Sequence, residues 1–141
     1  MSWTCPKCEK RFSRDNQSHF CEKVTQKEFL HHHNEEMGAY YLEFLAWAQQ
    51  HFELREQFTK KAVSWYAPND RVFLVTRLKK RWLDSYYYFG EEMLEFPVFK
   101  TLWSEKHDKC VHFMRVHDEE DLDEGCRRRL EEAYLFAMEG V

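Results

Sequence analysis

Three cysteines and one histidine, side chains that bind metals readily, lie close together near the start of the 141-residue chain. The sequence C-P-K-C places Cys5 and Cys8 in one tight turn, where both sulfur atoms can reach the same ion. His19 and Cys21 follow as an alternating pair whose side chains can share one side of an extended segment. Three thiolates and one imidazole form a closed tetrahedral set that suits zinc better than magnesium or calcium. We therefore predict one structural zinc ion bound by these four residues.

The segment that carries these ligands, residues 1–24, is called the knuckle below. Its apolar side chains are few, namely Trp3, Phe12, Phe20 and Val24. Burial of so small an apolar surface does not offset the conformational entropy lost on folding, whereas metal binding can. Asn16 and Gln17 are expected to supply a turn and hydrogen bonds behind the ligands. The alternatives are loose reduced thiols in a flexible tail or a redox CxxC pair, although no βαβ pattern surrounds the motif.

The remainder of the chain has the pattern of an α+β domain. Asn34, followed by two glutamates, is a typical helix N-cap, and apolar residues at three- and four-residue steps predict a helix over residues 35–53. Strands are predicted near residues 71–76, 82–89 and 109–117, and residues 58–66, where Val63 and Trp65 lie two apart among polar residues, are a fourth candidate. A second helix is predicted over residues 121–138. Strands joined by short turns favour an antiparallel sheet of three to four strands with helices packed on one face.

The sequence predicts two parts, a zinc knuckle with its linker at residues 1–30 and the α+β domain at residues 31–141. A run of three histidines, His31, His32 and His33, lies at their boundary. Such a run is typical of a solvated linker before a helix, and the alternative is a second metal site or a replacement ligand. No assignment is made for the segment from residue 95 to residue 103.

The net charge of −4 conceals a strong asymmetry along the chain. Residues 55–82 carry a net charge of +6, whereas residues 118–141 carry −6. The positive segment places bases beside aromatic residues, a pattern that suits a phosphate backbone with stackable bases. Its candidate partner-binding residues are Arg71, Arg77, Lys79, Lys80, Arg81 and Trp82. The alternative is a solvated hairpin tip whose aromatic side chains enter the core at every second position.

Other candidates for chemistry are weaker. His112 is the residue that we would name as a general base in a pocket, although no motif ties a nucleophile to it. Cys110 and Cys126 occupy apolar positions and are expected to be buried and unreactive. The four glycines are too scattered to form a phosphate-binding loop, which argues against nucleotide-binding enzymes. A further alternative is a small-molecule cavity lined by Trp65, Trp82, Tyr86 and Tyr88.

Cellular location is predicted from what the sequence lacks. No run of eighteen apolar residues occurs, so no transmembrane helix and no membrane partner are expected. The N-terminus has no apolar stretch of the kind found in secretory signals, and five cysteines at uneven spacing do not suit a disulfide framework. We therefore expect a cytoplasmic protein with reduced thiols.

Two parts of the chain resemble a group of small uncharacterised bacterial proteins, in which a zinc knuckle precedes a domain of unknown function. The knuckle likeness rests on Trp3, Cys5, Pro6, Cys8, Arg11, Phe12, Asn16, Gln17, His19 and Cys21. The domain likeness rests on residues 71–75, 79–83, 96–97, 112–115, 121–123 and 132–134, while residues 22–57 match only loosely. The resemblance implies a compact α+β domain in a bacterial cytoplasm, with metal binding at Cys5, Cys8, His19 and Cys21.

These observations predict a non-enzymatic, zinc-stabilised binding module whose partner is nucleic acid or another protein. The partner would contact the face that carries the six candidate residues of the positive segment. The alternative function is an enzyme of unknown reaction with a pocket that contains His112. A cleft that holds His112 and a second titratable side chain would support the enzyme, and a solidly packed His112 would remove its candidate base.

Overall fold

The structure is a computed structural model that describes residues 2–95, 97–117 and 119–139. Phe96, which belongs to the domain likeness, and Asp118, which belongs to the acidic segment, lie outside the described residues, as do Met1, Gly140 and Val141. Two strands form an antiparallel pair inside the knuckle, β1 (Trp3–Thr4) and β2 (Arg11–Phe12).

Two helices follow the knuckle. Helix α1 (Gln26–His31) begins at a capping box, in which Thr25 and Glu28 exchange hydrogen bonds with each other's backbone N–H groups. Helix α2 (Glu35–Gln49) begins at Asn34, whose side chain accepts from two backbone N–H groups as the sequence predicts. The predicted end of α2 at residue 53 was wrong. Phe52 continues the apolar spacing and packs in the core, but it does so from the turn after the helix.

The central element is a sheet of six antiparallel strands in the order β3-β4-β5-β6-β8-β7. The strands are β3 (Arg55–Phe58), β4 (Val63–Tyr66), β5 (Val72–Leu78), β6 (Leu83–Phe89), β7 (Val98–Trp103) and β8 (Cys110–Val116). The α+β class is confirmed, but the prediction of three to four strands was wrong. The two strands that sequence reasoning missed, β3 and β7, lie at the edges, where solvent exposure weakens the alternation of apolar and polar residues.

One face of the sheet forms the core together with α2 and the last helix, α3 (Glu124–Glu139). Trp65 on β4 packs against Phe44 of α2, with ring centroids 4.8 Å apart. The buried stripe of α3 includes Cys126, Leu130, Ala133 and Ala137, at the three- and four-residue steps that predicted this helix. The helix begins three residues later than predicted, because residues 119–121 form a 3-10 turn. Among the described residues, no helix is both long and apolar enough to cross a membrane.

Candidate functional site

The knuckle brings Cys5, Cys8, His19 and Cys21 together, and one ligand atom from each lies within 4.8 Å of all the others. The Sγ atoms of Cys5 and Cys21 are 3.6 Å apart, and the Sγ atom of Cys8 lies 3.3 Å from Nε2 of His19. A tetrahedral zinc site with bonds of about 2.3 Å has ligand atoms roughly 3.8 Å apart. These two separations are close to that value and the remaining ones stay within 4.8 Å, so the four side chains could hold a single ion.

Backbone hydrogen bonds hold the two halves of the cluster in place. Cys5 N–H donates to the Lys10 carbonyl at 2.8 Å, and Glu9 N–H donates to the Cys5 carbonyl at 2.9 Å. These bonds close the turn that carries Cys5 and Cys8, with Glu9 in the left-handed region at φ 66°. The ammonium group of Lys10 donates to the Phe20 carbonyl at 3.0 Å and so ties this turn to the segment of His19 and Cys21.

His19 is oriented so that one ring nitrogen is free to bind a metal. Its Nδ1 atom lies 2.7 Å from the Gln17 carbonyl oxygen, which can only accept, so Nδ1 carries the proton. Nε2 then presents its lone pair toward the cysteines, the arrangement typical of metal-bound histidine. The ring packs against Phe12, with centroids 4.5 Å apart. The expected hydrogen bond behind the ligands is thus present, from the backbone of Gln17.

The cysteines of the cluster differ in how readily they ionise. The backbone N–H of Cys8 stabilises the Cys5 thiolate and lowers the pKa of Cys5 to about 6. The hydrogen bond with Cys5 raises the pKa of Cys21 to about 11, because the proton shared between the two sulfurs stays on Cys21. A dication binds thiolates and displaces such protons, so loading of the cluster is expected to release protons.

A buried carboxylate, Asp70, joins the knuckle to the sheet. It is 2 % exposed and lies in the turn before β5. Its oxygens accept from the Ser2 hydroxyl, from Nε of Arg11 at 3.0 Å and from Nη2 of Arg55 at 2.8 Å. Burial alone would raise the pKa of Asp70, but these donors outweigh it and lower the pKa. The sequence did not indicate this role of Asp70, because its partners Ser2 and Arg11 are distant in sequence.

Further contacts between the knuckle and the sheet surround Asp70. Arg11 N–H donates to the Gln57 side-chain oxygen at 2.7 Å, and Nη2 of Arg55 donates to the Arg11 carbonyl at 2.9 Å. The Phe12 ring meets the Tyr66 ring edge to face, at 6.2 Å between centroids. The docked knuckle therefore lies against β3 and β4 at one edge of the sheet.

The predicted partner-binding residues fall into two places. Arg77, Lys79, Lys80, Arg81 and Trp82 cluster at and beside the turn between β5 and β6, where the four bases are exposed. The side chains of Lys79, Lys80 and Arg81 are called the basic turn below. Arg71 lies at the other end of β5, eight residues or roughly 27 Å away at about 3.4 Å per strand residue. It lines a groove together with Arg14 and Lys109.

His112 is packed in the core. Its side chain is 0 % exposed, Nδ1 donates to the Cys110 carbonyl at 3.0 Å, and Nε2 accepts from the Met93 N–H at 3.0 Å. The ring stacks on Tyr87 at 4.9 Å with an interplanar angle of 9°. Burial lowers the pKa of His112, so the neutral ring is favoured. Both ring nitrogens are committed to structural hydrogen bonds, and the side chain has no access to solvent.

The other candidates lie in the core or in and beside helix α1. Cys110 and Cys126 are buried as expected, and burial raises the pKa of Cys126 to about 12. His31 lies in the last turn of α1 rather than in a linker, and His33 packs against Phe29 with centroids 4.5 Å apart.

The proposed aromatic cavity is not formed. Trp65 is buried between the sheet and α2, whereas Tyr86 lies on the opposite face of the sheet.

A family model described as "Domain of unknown function (DUF5655)" matches residues 46–137. The chain belongs to the DUF5655 family. No curated protein and no solved structure matches this chain. The matched residues run from within α2 to within α3 and include all six strands of the sheet, while the metal-ligand cluster precedes them. The expected combination of a Cys/His cluster and a domain of unknown function is confirmed.

Proposed function

We propose that this DUF5655 protein is a non-enzymatic binding module that is stabilised by one structural zinc ion. The observation that carries the proposal is the convergence of four ligand atoms within 4.8 Å at Cys5, Cys8, His19 and Cys21. Three sulfurs and one imidazole nitrogen select zinc over the hard cations. Because the protein would supply all four ligands, no coordination position is left for a substrate, as in structural zinc sites generally.

The proposed ion would crosslink two segments that are also joined by the Lys10 hydrogen bond to the Phe20 carbonyl and by the packing of His19 on Phe12. It would join the turn at Cys5 and Cys8 to the strand-like segment at His19 and Cys21, and so complete a knuckle with few buried apolar side chains. The ordered knuckle then places Arg11 and Ser2 against Asp70 on the sheet. In this proposal zinc supplies structure, and the sheet supplies the surface that meets a partner.

We further propose that the partner is an anionic macromolecule, a nucleic acid or an acidic protein segment, which contacts the basic turn. Lys79, Lys80 and Arg81 are exposed, and Arg77 and Trp82 lie next to them. Clustered cations raise the local concentration of an anionic partner and accelerate its association. The packed environment of His112 supports the non-enzymatic interpretation, because it offers no exposed general base at that position.

A charge-removal triple variant tests this surface. We compare Lys79→Gln/Lys80→Gln/Arg81→Gln with Lys27→Gln/Lys60→Gln/Lys61→Gln, which removes the same charge from exposed positions elsewhere. Fluorescence anisotropy measures binding to single-stranded and double-stranded oligonucleotides and to a polyglutamate peptide. We expect the basic-turn variant to bind at least one probe roughly tenfold or more weakly at low salt, with the control near wild type. Equal affinities of the two variants for every probe would contradict the proposal.

A further inference from the structure

The face of the sheet opposite the helices carries aromatic rings. In the run Tyr86-Tyr87-Tyr88 of β6, the ring of Tyr87 is buried in the core, so Tyr86 and Tyr88 point to the opposite face. Phe113 of β8 is the register partner of Tyr86, and their centroids are 6.0 Å apart. Phe99, at an irregularity in β7, is 48 % exposed. These four residues, Tyr86, Tyr88, Phe99 and Phe113, define what we call the open face.

Cations lie over these rings. The Lys109 ammonium is 4.7 Å from the Tyr88 centroid, and the Lys100 ammonium is 5.4 Å from the Phe113 centroid. The Arg115 guanidinium is 4.4 Å from the Phe99 centroid and also pairs with Asp84 at 3.3 Å. A surface that combines rings with cations in this way offers contacts both for planar groups and for phosphates.

Two grooves extend the open face toward both ends of the sheet. One groove of about 300 Å³ lies between Tyr86, Phe99 and Phe113 and reaches Arg77 and Lys79. The other, also about 300 Å³, begins at Tyr88 and Lys109 and reaches Arg71 and the knuckle residue Arg14. The rings of Tyr86 and Tyr88 are 6.3 Å apart, so the two grooves adjoin. Together they form a track that runs from the basic turn to the knuckle and is lined by more cations than acids, the acids being Asp84, which pairs with Arg115, and the buried Asp70.

We propose that the open face binds single-stranded nucleic acid, with bases stacked on Tyr86, Tyr88 and Phe113 and phosphates held by Lys100, Lys109 and Arg115. This inference rests on the proposed function and names the class of its partner. The charges of the track complement a phosphate backbone. An acidic peptide would use the cations alone, whereas unpaired bases also use the partly exposed rings of Tyr86, Tyr88 and Phe113. A duplex keeps its base faces stacked inside, so only a single strand can make this second contact.

The experiment separates stacking from charge. The full chain, purified with its bound metal, is titrated against labelled dT and rU oligonucleotides of about 15 nucleotides and against a duplex of the same length. Tyr86→Leu/Tyr88→Leu keeps apolar bulk but removes the planar rings, and Tyr86→Phe/Tyr88→Phe keeps the rings. We expect wild type to prefer single strands over the duplex. The Leu variant should lose roughly 10- to 100-fold in affinity, and the Phe variant should stay within about threefold of wild type.

A second pair of variants keeps the test decisive if the Leu variant fails to fold. Lys100→Gln/Lys109→Gln should weaken single-strand binding roughly tenfold and flatten its salt dependence, while Lys27→Gln/Lys61→Gln should not. The dT and rU arms show whether the strand is DNA or RNA.

The failure of this inference and that of the proposed function give different results. If single strands bind the Leu variant as tightly as the wild type but bind the basic-turn variant more weakly, the open-face site is wrong. The basic turn then remains as the binding surface. Binding of polyglutamate alone would overturn the nucleic-acid inference and leave a protein partner. Absence of binding to every probe would overturn both.

Discussion

The knuckle and the sheet–helix body are stabilised by different kinds of interaction. In the body, α2, α3 and one sheet face enclose a continuous apolar cluster, with Trp65, Tyr41 and Leu130 fully buried. The knuckle has Phe12 as its buried aromatic residue among the described positions, and it gathers four Cys/His side chains in one cluster and contacts a buried carboxylate of the body. The comparison sets a part that folds by apolar burial against a part whose folding, in our proposal, depends on an ion.

The magnitudes expected for the two mechanisms differ. A fully buried large apolar side chain contributes about 1.5–3 kcal/mol by transfer from water, and the body contains many of them. A structural zinc site contributes about 10–16 kcal/mol of apparent binding free energy at neutral pH, concentrated in one ion. With the proposed zinc bound, stability in the body is distributed over many residues, whereas in the knuckle the loss of a single ligand is expected to unfold the segment.

The largest effect is expected from loss of a metal ligand. In Cys8→Ala the knuckle should lose its metal and its defined structure, because three ligands and a few apolar contacts do not offset its folding entropy. The body should remain folded, since its core is separate. Two-dimensional NMR measures this as a collapse of dispersion for residues 2–24 with the other resonances retained.

Cys126→Ala is the matched control, because it also removes a buried thiol but lies in α3. It should keep the knuckle resonances in place. A knuckle that stays ordered in Cys8→Ala would show that apolar packing and Asp70 are sufficient.

The reverse perturbation targets the body. Leu130→Ala removes a fully buried side chain from the core and should lower the free energy of unfolding by about 2–5 kcal/mol. Metal content of the folded protein should be unchanged. Urea unfolding followed by tryptophan fluorescence measures the loss, and Leu135→Ala, at an exposed position of the same helix, should stay within about 0.5 kcal/mol of wild type. A Leu130→Ala protein that loses metal in proportion to its stability would mean that the two parts are not independent.

Asp70→Asn tests the junction between the two parts. It removes a carboxylate that is 2 % exposed, but Arg11 and Arg55 are partly exposed, with 53 % and 32 % of their side chains accessible. Solvent screening therefore limits the expected loss to about 1–3 kcal/mol. Most of this loss should disappear in a Cys8→Ala background, where Arg11 and Ser2 no longer reach the sheet. A double-mutant cycle measures the coupling, and full additivity would contradict the docking contact.

The smallest expected effect is a pH dependence of the stability of the sheet–helix body. Burial lowers the pKa of His112 and Arg129 acts in the same direction, whereas the hydrogen bond to the Cys110 carbonyl and the charge of Glu92 oppose them without reversing the shift. The unfolded chain therefore binds more protons than the folded chain just below the ordinary value of 6.5. The contribution of neutral His112 to the free energy of unfolding is complete at pH values above 6.5. It decreases as the pH falls below 6.5, by at most about 1.4 kcal/mol per pH unit.

His112→Gln, which keeps an acceptor for the Met93 N–H, tests this dependence. The variant should have a lower free energy of unfolding than the wild type at pH 7. In urea titrations this difference should become smaller as the pH is lowered from 7 to 5. Parallel pH profiles of the two proteins would contradict the assignment.

The parts of the molecule that could be predicted from sequence are those specified by local spacing. The ligand set follows from CxxC and HxC spacing, and Asn34 and the apolar stripe of α3 mark helices α2 and α3, whereas the short helix α1 was placed in a linker. The edge strands β3 and β7 could not be found, because their solvent-facing positions remove the period-two signal. The Asp70 contact joins residues as far apart as 68 positions, and no local pattern indicates such a pair. The open face was also missed, since register alone decides that Phe113 lies beside Tyr86.

Elemental analysis of the chain, purified under reducing conditions without added metal, tests the central claim most directly. The account predicts one zinc per chain in the wild type and its loss in Cys8→Ala. Replacement by cobalt(II) should then give the visible absorption of a tetrahedral site with sulfur ligands. Absence of zinc from the wild type, or the same zinc content in Cys8→Ala, would contradict the account.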